Sequence, residues 1–269
     1  MLPIKVDEIS FKVEDDYMVP GWCPNGFFQD QFLSGWEKDT LRVVRSFASP
    51  SKVLIDVGAW IGPITLYGSK LYDRVVSFEP DPIALGYLKK NLSLTGPDGK
   101  PQGYNVTLFG KGLSFVTSSE GQLFGGSKDL GNSETTFLAG YDFFRHIVND
   151  PMQRGSYEDR TSNLIKVPTI TLEDSLSAAK VNPDDIGLIK VDIEGGEHFL
   201  VPALKSFLKV HRIPLLISLH YCFLPKDYVW SILETLFDIY NTVKDTHTDM
   251  KIEYQQAKEN YLTDLLFVD

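Results

Sequence analysis

Asp56, Glu79, Asp192, Glu194 and His220 are the side chains of this 269-residue chain whose types and settings could do chemistry. Each acid or imidazole follows an apolar run. Val53, Leu54 and Ile55 precede Asp56; Val75 to Phe78 precede Glu79; Ile186 to Val191, apolar except for Lys190, precede Asp192-Ile193-Glu194; and Ile213 to Leu219 precede His220. In an open α/β sheet the ligand crevice lies beyond the carboxyl ends of the strands, so four strand ends carrying such groups predict one shared site. A carboxylate there can accept hydroxyl hydrogens from a ribose or hold a cationic group. An imidazole, with a reference pKa of about 6.5, can take a proton from a hydroxyl. Asp192, Glu194 and His220 could instead hold a divalent cation through oxygen and nitrogen. They lack a compact ligand motif, so the expectation is no metal.

The element that positions the first pair is the stretch VLIDVGAWIG at 53–62. Its wholly apolar start is what a strand needs when helices cover both faces of its sheet. The turn Gly58-Ala59-Trp60-Ile61-Gly62 then leads into a helical pattern at Pro63 to Lys70. Glu79 follows at the tip of the next strand, about 20 residues past the first glycine, the place from which an acid grips a ribose. A dinucleotide turn has a third glycine between these two so that a pyrophosphate can sit on the helix N-terminus; here bulk stands in its place. S-adenosylmethionine has a ribose, no phosphate, a sulfonium and an amino acid end, and Asp56 with Glu79 suits it better. Gly58, Ala59, Trp60 and Gly62 are therefore read as cofactor-binding, together with Asp56, Glu79 and Asp192.

Size and composition bound the rest. An apolar content of 43% suffices for one sizeable α/β core. The reading is an N-terminal extension or lid over residues 1–34 and one domain over 35–269. A net charge of -10 offers no basic field to a phosphate backbone, which disfavours nucleic acid and leaves a small or neutral acceptor. Cys23 and Cys222 are far apart and lack metal spacing, so both are expected as free thiols in a reducing, cytoplasmic compartment. No apolar run is long enough for a membrane span or a leader. There is no G-x-S-x-G elbow, which sets a serine hydrolase aside.

Along the chain, residues 1–34 predict an extended edge or lid segment, and a helix starts after Trp36-Glu37. Glu37 is either a solvated first-turn carboxylate or a cofactor contact. A helix from Pro82 to Leu94 has proline in its first turn. Val106 to Phe109 is a third strand, and Lys111 and Gly112 in the turn after it would lie beside an adenine. Residues 118–163 show no sustained period and read as an irregular substrate-side insertion, with Phe137, Tyr141, Phe143 and Phe144 as aromatic islands. Leu164 to Ile170 is a strand, Thr171 an N-cap with Asp174 three residues on, and Asp227 to Tyr240 a helix. Two last strands, Asn241 to Lys244 and Leu265 to Val268, are joined by a mobile connection near 246–260.

The quoted stretches, with WE at 36–37, IDVGAWIGPITLYGSK at 55–70, FEPDP at 78–82, GNSETT at 131–136, IKVDIEGGEHFLVP at 189–202 and SLH at 218–220, resemble the FkbM-type methyltransferases. The resemblance spans about residues 36 to 220. It implies a class I S-adenosylmethionine-dependent enzyme: a doubly wound, Rossmann-like sheet of seven strands in the order 3-2-1-4-5-7-6, one of them antiparallel. It also implies oxygen methylation, often of a sugar or natural-product hydroxyl, with Gly58 and Gly62 bordering the cofactor, Glu79 its ribose, and Asp192 with Glu194 its methionine end. Members often end the fifth strand in glutamate, whereas this one ends in His220. The catalytic set expected is thus His220 as general base with Asp192 or Glu194 in support, methylating a hydroxyl of a glycan or other small molecule. A nicotinamide-dependent oxidoreductase and a non-catalytic nucleoside-binding module of similar fold stay open as alternatives.

Overall fold

The protein is described from a computed structural model covering residues 1–19, 21–125, 136–138, 163–221 and 224–269. Its centre is a seven-stranded mixed sheet. The chain begins with an antiparallel pair, β1 (Leu2–Val6) and β2 (Ile9–Val13), then a single wide turn at Phe28–Phe32 and helix α1 (Lys38–Ser46). Strand β3 (Val53–Val57), α2 (Pro63–Gly68), β4 (Arg74–Phe78), α3 (Pro82–Ser93) and β5 (Val106–Phe109) follow in strict alternation. Next come β6 (Gly112–Leu113), β7 (Ser118–Gly125), β8 (Thr136–Leu138), β9 (Asn163–Ile170) and α4 (Leu172–Ala179). The chain then returns to the main sheet with β10 (Ile186–Val191), α5 (Glu197–His211), β11 (Leu215–Ser218), α6 (Lys226–Ile239), β12 (Thr242–Asp245), α7 (Tyr254–Glu259) and β13 (Asp264–Val268).

The main sheet runs β12-β13-β11-β10-β3-β4-β5. Strands β3, β4, β5, β10 and β11 are mutually parallel, while β13 pairs antiparallel with both β11 and β12. The five parallel strands leave their carboxyl ends on one rim, so Asp56, Glu79, Asp192 and His220 reach the same side of the molecule. β3, in the middle, is buried along its whole length, as its unbroken apolar run requires. Both faces are covered: Ile55, Val57, Ile189 and Val191 pack with α5 and α6, and Leu54, Leu188 and Leu216 pack with α1, α2 and the N-terminal segment.

Three expectations change. Residues 1–34 are packed into the core, not laid over it as a lid: Ile4, Phe11, Val13, Tyr17, Phe27, Phe28 and Phe32 are buried in the same cluster as Leu54 and Leu66. Gln102 clamps the Lys12 backbone at 3.0 and 2.6 Å, and Asn91 accepts from the Glu14 N–H at 2.8 Å. The insertion at 118–163 is partly regular, because β7 and β8 join β6 and β9 in a second sheet of order β6-β9-β7-β8. Tyr141, Phe143, Phe144, residues 131–135 and Cys222 lie outside the described residues. The connection at 246–260 contains α7, whose N-terminus is closed by a reciprocal capping box between Glu253 and Gln256. Among the described residues no helix is long and apolar enough to cross a membrane.

Candidate active site

The glycine turn is held from within. Gly58 and Ala59 donate their N–H groups to the Phe78 carbonyl at 3.1 and 3.0 Å, which ties the end of β3 to the end of β4. Glu79 accepts from the Trp60 N–H and the Asp81 N–H, each at 2.7 Å. Its carboxyl is buried, and burial pushes its pKa up to about 8. Gly58 has a φ of +83°, and a Cβ there would lie 1.8 Å from the Asp192 carbonyl oxygen. The glycine is therefore demanded by the close approach of the loop after β10, a reason different from the ligand approach inferred from sequence. At Gly62 a Cβ would meet the Leu88 side chain at 2.5 Å.

Two expected contacts face elsewhere. The Trp60 side chain turns into an aromatic cluster, with ring centroids 4.5 Å from Phe27, 5.1 Å from Tyr17 and 6.3 Å from Trp36. Asp56 is 0% exposed and lies behind the crevice floor. It accepts from Thr65 Oγ1 at 2.6 Å and faces Lys190 Nζ at 3.5 Å. Its side chain points inward because β3 is buried on both faces, and burial raises its pKa despite the lysine. Gly112 starts β6 and pairs with Thr169 in the second sheet, with the partly exposed Lys111 just before it.

Lys190, 4% exposed, joins the two halves of the site. Its Nζ lies 3.5 Å from Asp56 and 3.4 Å from Asp192 and donates to the Gly58 carbonyl at 3.1 Å. Burial opposes its charge, but Asp192, Asp56 and Glu37 together hold the ammonium above its ordinary range. It is thus a structural ion that fixes Asp192 relative to the glycine turn.

Beyond β10 the chain turns sharply. Glu194 adopts φ 55° and Gly195 φ 101°, a left-handed pair that for a glutamate costs of order 1–2 kcal/mol. This turn, rather than strand alternation, brings Asp192 and Glu194 to one place. Both meet His220, which follows β11: Nε2 lies 3.4 Å from Asp192 Oδ1 and 3.5 Å from Glu194 Oε2. On the other side of the ring, Nδ1 lies 2.8 Å from Glu197 Oε1, which also accepts the Ile193 N–H at 3.3 Å. Glu197 is fully buried at the first turn of α5. Burial works against charge on the imidazole, but Glu197, Glu194 and Asp192 outweigh it and hold the His220 pKa well above its ordinary range. The surrounding carboxylates thus favour the protonated ring, in contrast to the ordinary imidazole expected from sequence. Asp192, Glu194 and His220 also offer one ligand atom each within 4.8 Å of one another.

This cluster forms one wall of a cavity of about 430 Å³ that extends from β10 towards β11, β13 and the start of α1. Glu37 enters it from the N-terminal side. The residue has φ 44°, and its Oε2 is shielded from water without a hydrogen-bond partner. Burial, then the nearby Asp192 carboxylate, pushes its pKa up to about 8. Opposite, His247 bridges Asp39 Oδ2 at 3.0 Å and Asp264 Oδ2 at 3.3 Å. Glu197, Lys190, Asp264 and His247 were not singled out as site residues from sequence. Glu197 was visible only as the last acid of D-I-E-G-G-E, and its role depends on α5 tucking it beneath His220.

Glu37 and Asp192 beside the cavity fit a ligand with a cationic end, because an ammonium would supply the hydrogen bond that Glu37 Oε2 lacks. Glu79 keeps lone pairs beyond the two backbone donors it holds.

The Methyltransferase FkbM domain model matches residues 56–255. No curated protein matches the sequence. Among solved structures, an FkbM methyltransferase from Methylobacillus flagellatus is similar at 19% identity and a TM-score of 0.45, covering 81% of this chain and 44% of its own. This chain thus spans under half the length of that protein. A TehB-like SAM-dependent methyltransferase from Corynebacterium glutamicum is similar at 11% identity and a TM-score of 0.43, covering 90% and 94%. A precorrin-6y C5,15-methyltransferase from Geobacter metallireducens is similar at 14% identity and a TM-score of 0.40, covering 94% and 93%.

Proposed function

The chain belongs to the FkbM methyltransferase family, and from that premise we propose that it transfers a methyl group from S-adenosylmethionine to a hydroxyl of a sugar, a glycan or a similar small acceptor. The observation that carries this reading is the cluster of Asp192, Glu194 and His220, backed by Glu197, on the wall of a cavity at the carboxyl rim of the sheet. Glu79 would hold the ribose, the Gly58–Gly62 turn would border the nucleoside, and Glu37 with Asp192 would face the methionine end. When bound, the cofactor supplies an activated methyl group together with its own leaving group. The chain's task is then to align an acceptor oxygen, exclude water and accept a proton.

The proton is taken by the cluster as a unit. Three carboxylates share one imidazole, so removing a proton from an acceptor hydroxyl draws on coupled groups and not on an isolated histidine. A cationic ligand beside Asp192 relieves part of the negative field that raises the His220 pKa. That shift moves the imidazole towards the neutral form a general base needs. Asp192 and Glu194 flank Nε2 and orient it. The sequence after β10 reads Asp192-Ile193-Glu194-Gly195, without the N/D-P-P-aromatic element of enzymes that methylate planar amines, which supports oxygen as the acceptor atom.

The direct test is tritium-labelled methyl transfer from S-adenosylmethionine into a library of glycans and small hydroxyl compounds, with and without EDTA. Label in a sugar hydroxyl is the expected result; transfer only to nitrogen, or to nothing while S-adenosylhomocysteine binds, overturns it. Parallel titration with NADH separates the oxidoreductase alternative, for which binding of NADH in preference to S-adenosylhomocysteine is required.

A further inference from the structure

The polar atoms around the cavity are unevenly satisfied. Thr246, just after β12, is 2% exposed, lines the cavity, and its Oγ1 has no hydrogen-bond partner. Tyr221, the residue after His220, lines the same cavity, and its hydroxyl is also shielded and unpartnered. With Glu37 Oε2, three of the seven unpartnered buried side-chain atoms found among the described residues belong to lining residues of this one cavity. An unmade hydrogen bond is costly to bury, and native proteins keep few. Three such residues around one hollow offer polar groups that a ligand can engage once their side chains turn towards it.

The charge of the wall narrows what that ligand is. Among the described residues four aspartate and glutamate carboxylates line it, from Asp39, Asp192, Glu194 and Asp264, with Glu37 as a fifth acid whose pKa is raised to about 8, against two imidazoles, from His220 and His247. Both imidazoles are already engaged: His220 with Asp192, Glu194 and Glu197, His247 with Asp39 and Asp264. Asp264 is further occupied by the hydroxyls of Ser218 and Thr263, each at 2.7 Å. Among the described residues of this wall, no free cation is left to receive a phosphate or a carboxylate.

We infer that the hollow between β11, β13 and the start of α1 is the acceptor subsite, and that it takes a hydroxyl-rich acceptor bearing no negative charge, with Thr246 and Tyr221 as its hydrogen-bonding contacts. This rests on the methyl-transfer reading and narrows it: neutral glycosides and amino glycosides enter, while sugar phosphates and uronic acids are refused. Thr246 and Tyr221 act here on acceptor binding and not on proton transfer.

Saturation-transfer NMR titrations of the full chain test this, run with and without S-adenosylhomocysteine, using methyl hexosides, a methyl aminohexoside, a hexose phosphate and a methyl hexuronide. Neutral and amino glycosides should bind, the two anionic sugars at least about 10-fold more weakly. T246V and Y221F should each weaken neutral glycoside binding about 3- to 10-fold, the range for one lost hydrogen bond. T246V removes an unpaired hydroxyl and should not lower the melting temperature, so weaker binding from misfolding is distinguishable. Anionic sugars binding as well as neutral ones, variants that bind as the parent does, or no sugar binding in either state would each overturn the inference. Sugar binding in a protein that fails to bind S-adenosylhomocysteine would support the subsite and count against the cofactor reading.

Discussion

The two halves of the crevice follow opposite rules. On the side of β3 and β4, the turn closes on itself: two N–H groups fall on the Phe78 carbonyl and two on Glu79. On the side of β11 and β13, Glu37, Tyr221 and Thr246 keep polar atoms unpaired, and Glu194 holds a left-handed backbone conformation. The glycine turn of the first half is closed by its own bonds, although Asp56 Oδ1 stays without a hydrogen bond, whereas the second half leaves three such atoms on residues lining the cavity. On the proposed reading the cofactor is met by this backbone frame together with Glu37, and the acceptor by the side chains of Tyr221 and Thr246.

Lys190 is where the halves are joined, so its loss gives the largest effect. Lys190→Met strands two carboxylates, one of them fully buried, and should cost about 3–5 kcal/mol in urea unfolding. Adding Asp56→Asn should restore part of this; a loss below about 1 kcal/mol would show the halves to be independent. Next is His220→Ala, expected to lower turnover on the order of 100-fold while S-adenosylhomocysteine affinity measured by calorimetry stays nearly unchanged. Glu79→Ala should do the reverse, weakening cofactor binding about 10-fold or more with turnover at saturating cofactor preserved. If both variants lost only cofactor affinity, the division between the halves would fail.

A separate effect is in pH. The Glu79 carboxyl is raised from its ordinary 4.5 to about 8, so between those values the folded state binds more protons than the unfolded one. Stability contributed by this group is full at low pH and falls as pH rises from about 4.5 to about 8, then levels. Glu79→Gln, which mimics the protonated form, should flatten that decline in melting temperature. An unchanged slope would place the titration elsewhere, Glu37 being the other carboxyl raised to about 8.

What could be read from residues alone was local. The apolar runs ending at Asp56, Glu79, Asp192 and His220 are short and unbroken, so the strands and their shared rim were legible. The pairing of Lys190 with carboxylates was legible too, because an amine in a buried strand must have a partner. The buried side of Glu197 was not, since it depends on how α5 docks. The inward turn of Trp60 depends on aromatic residues some 24 to 43 positions earlier, from Trp36 back to Tyr17. Strand β7 was missed because Ser118-Ser119-Glu120-Gly121-Gln122 has weak β preference and is held by pairing with β9.

The antiparallel β13 has a consequence for how the molecule is made. It slots between β11 and β12, both synthesised before it, and its first residue, Asp264, anchors His247 and Ser218. The β3–β4 and β4–β5 pairings lie wholly within residues 53–109, but β11 has an open edge until β13 arrives from the ribosome. A chain halted near residue 260 would own the glycine-turn side of the crevice and no far wall, and its bare strand edge would invite pairing with another copy.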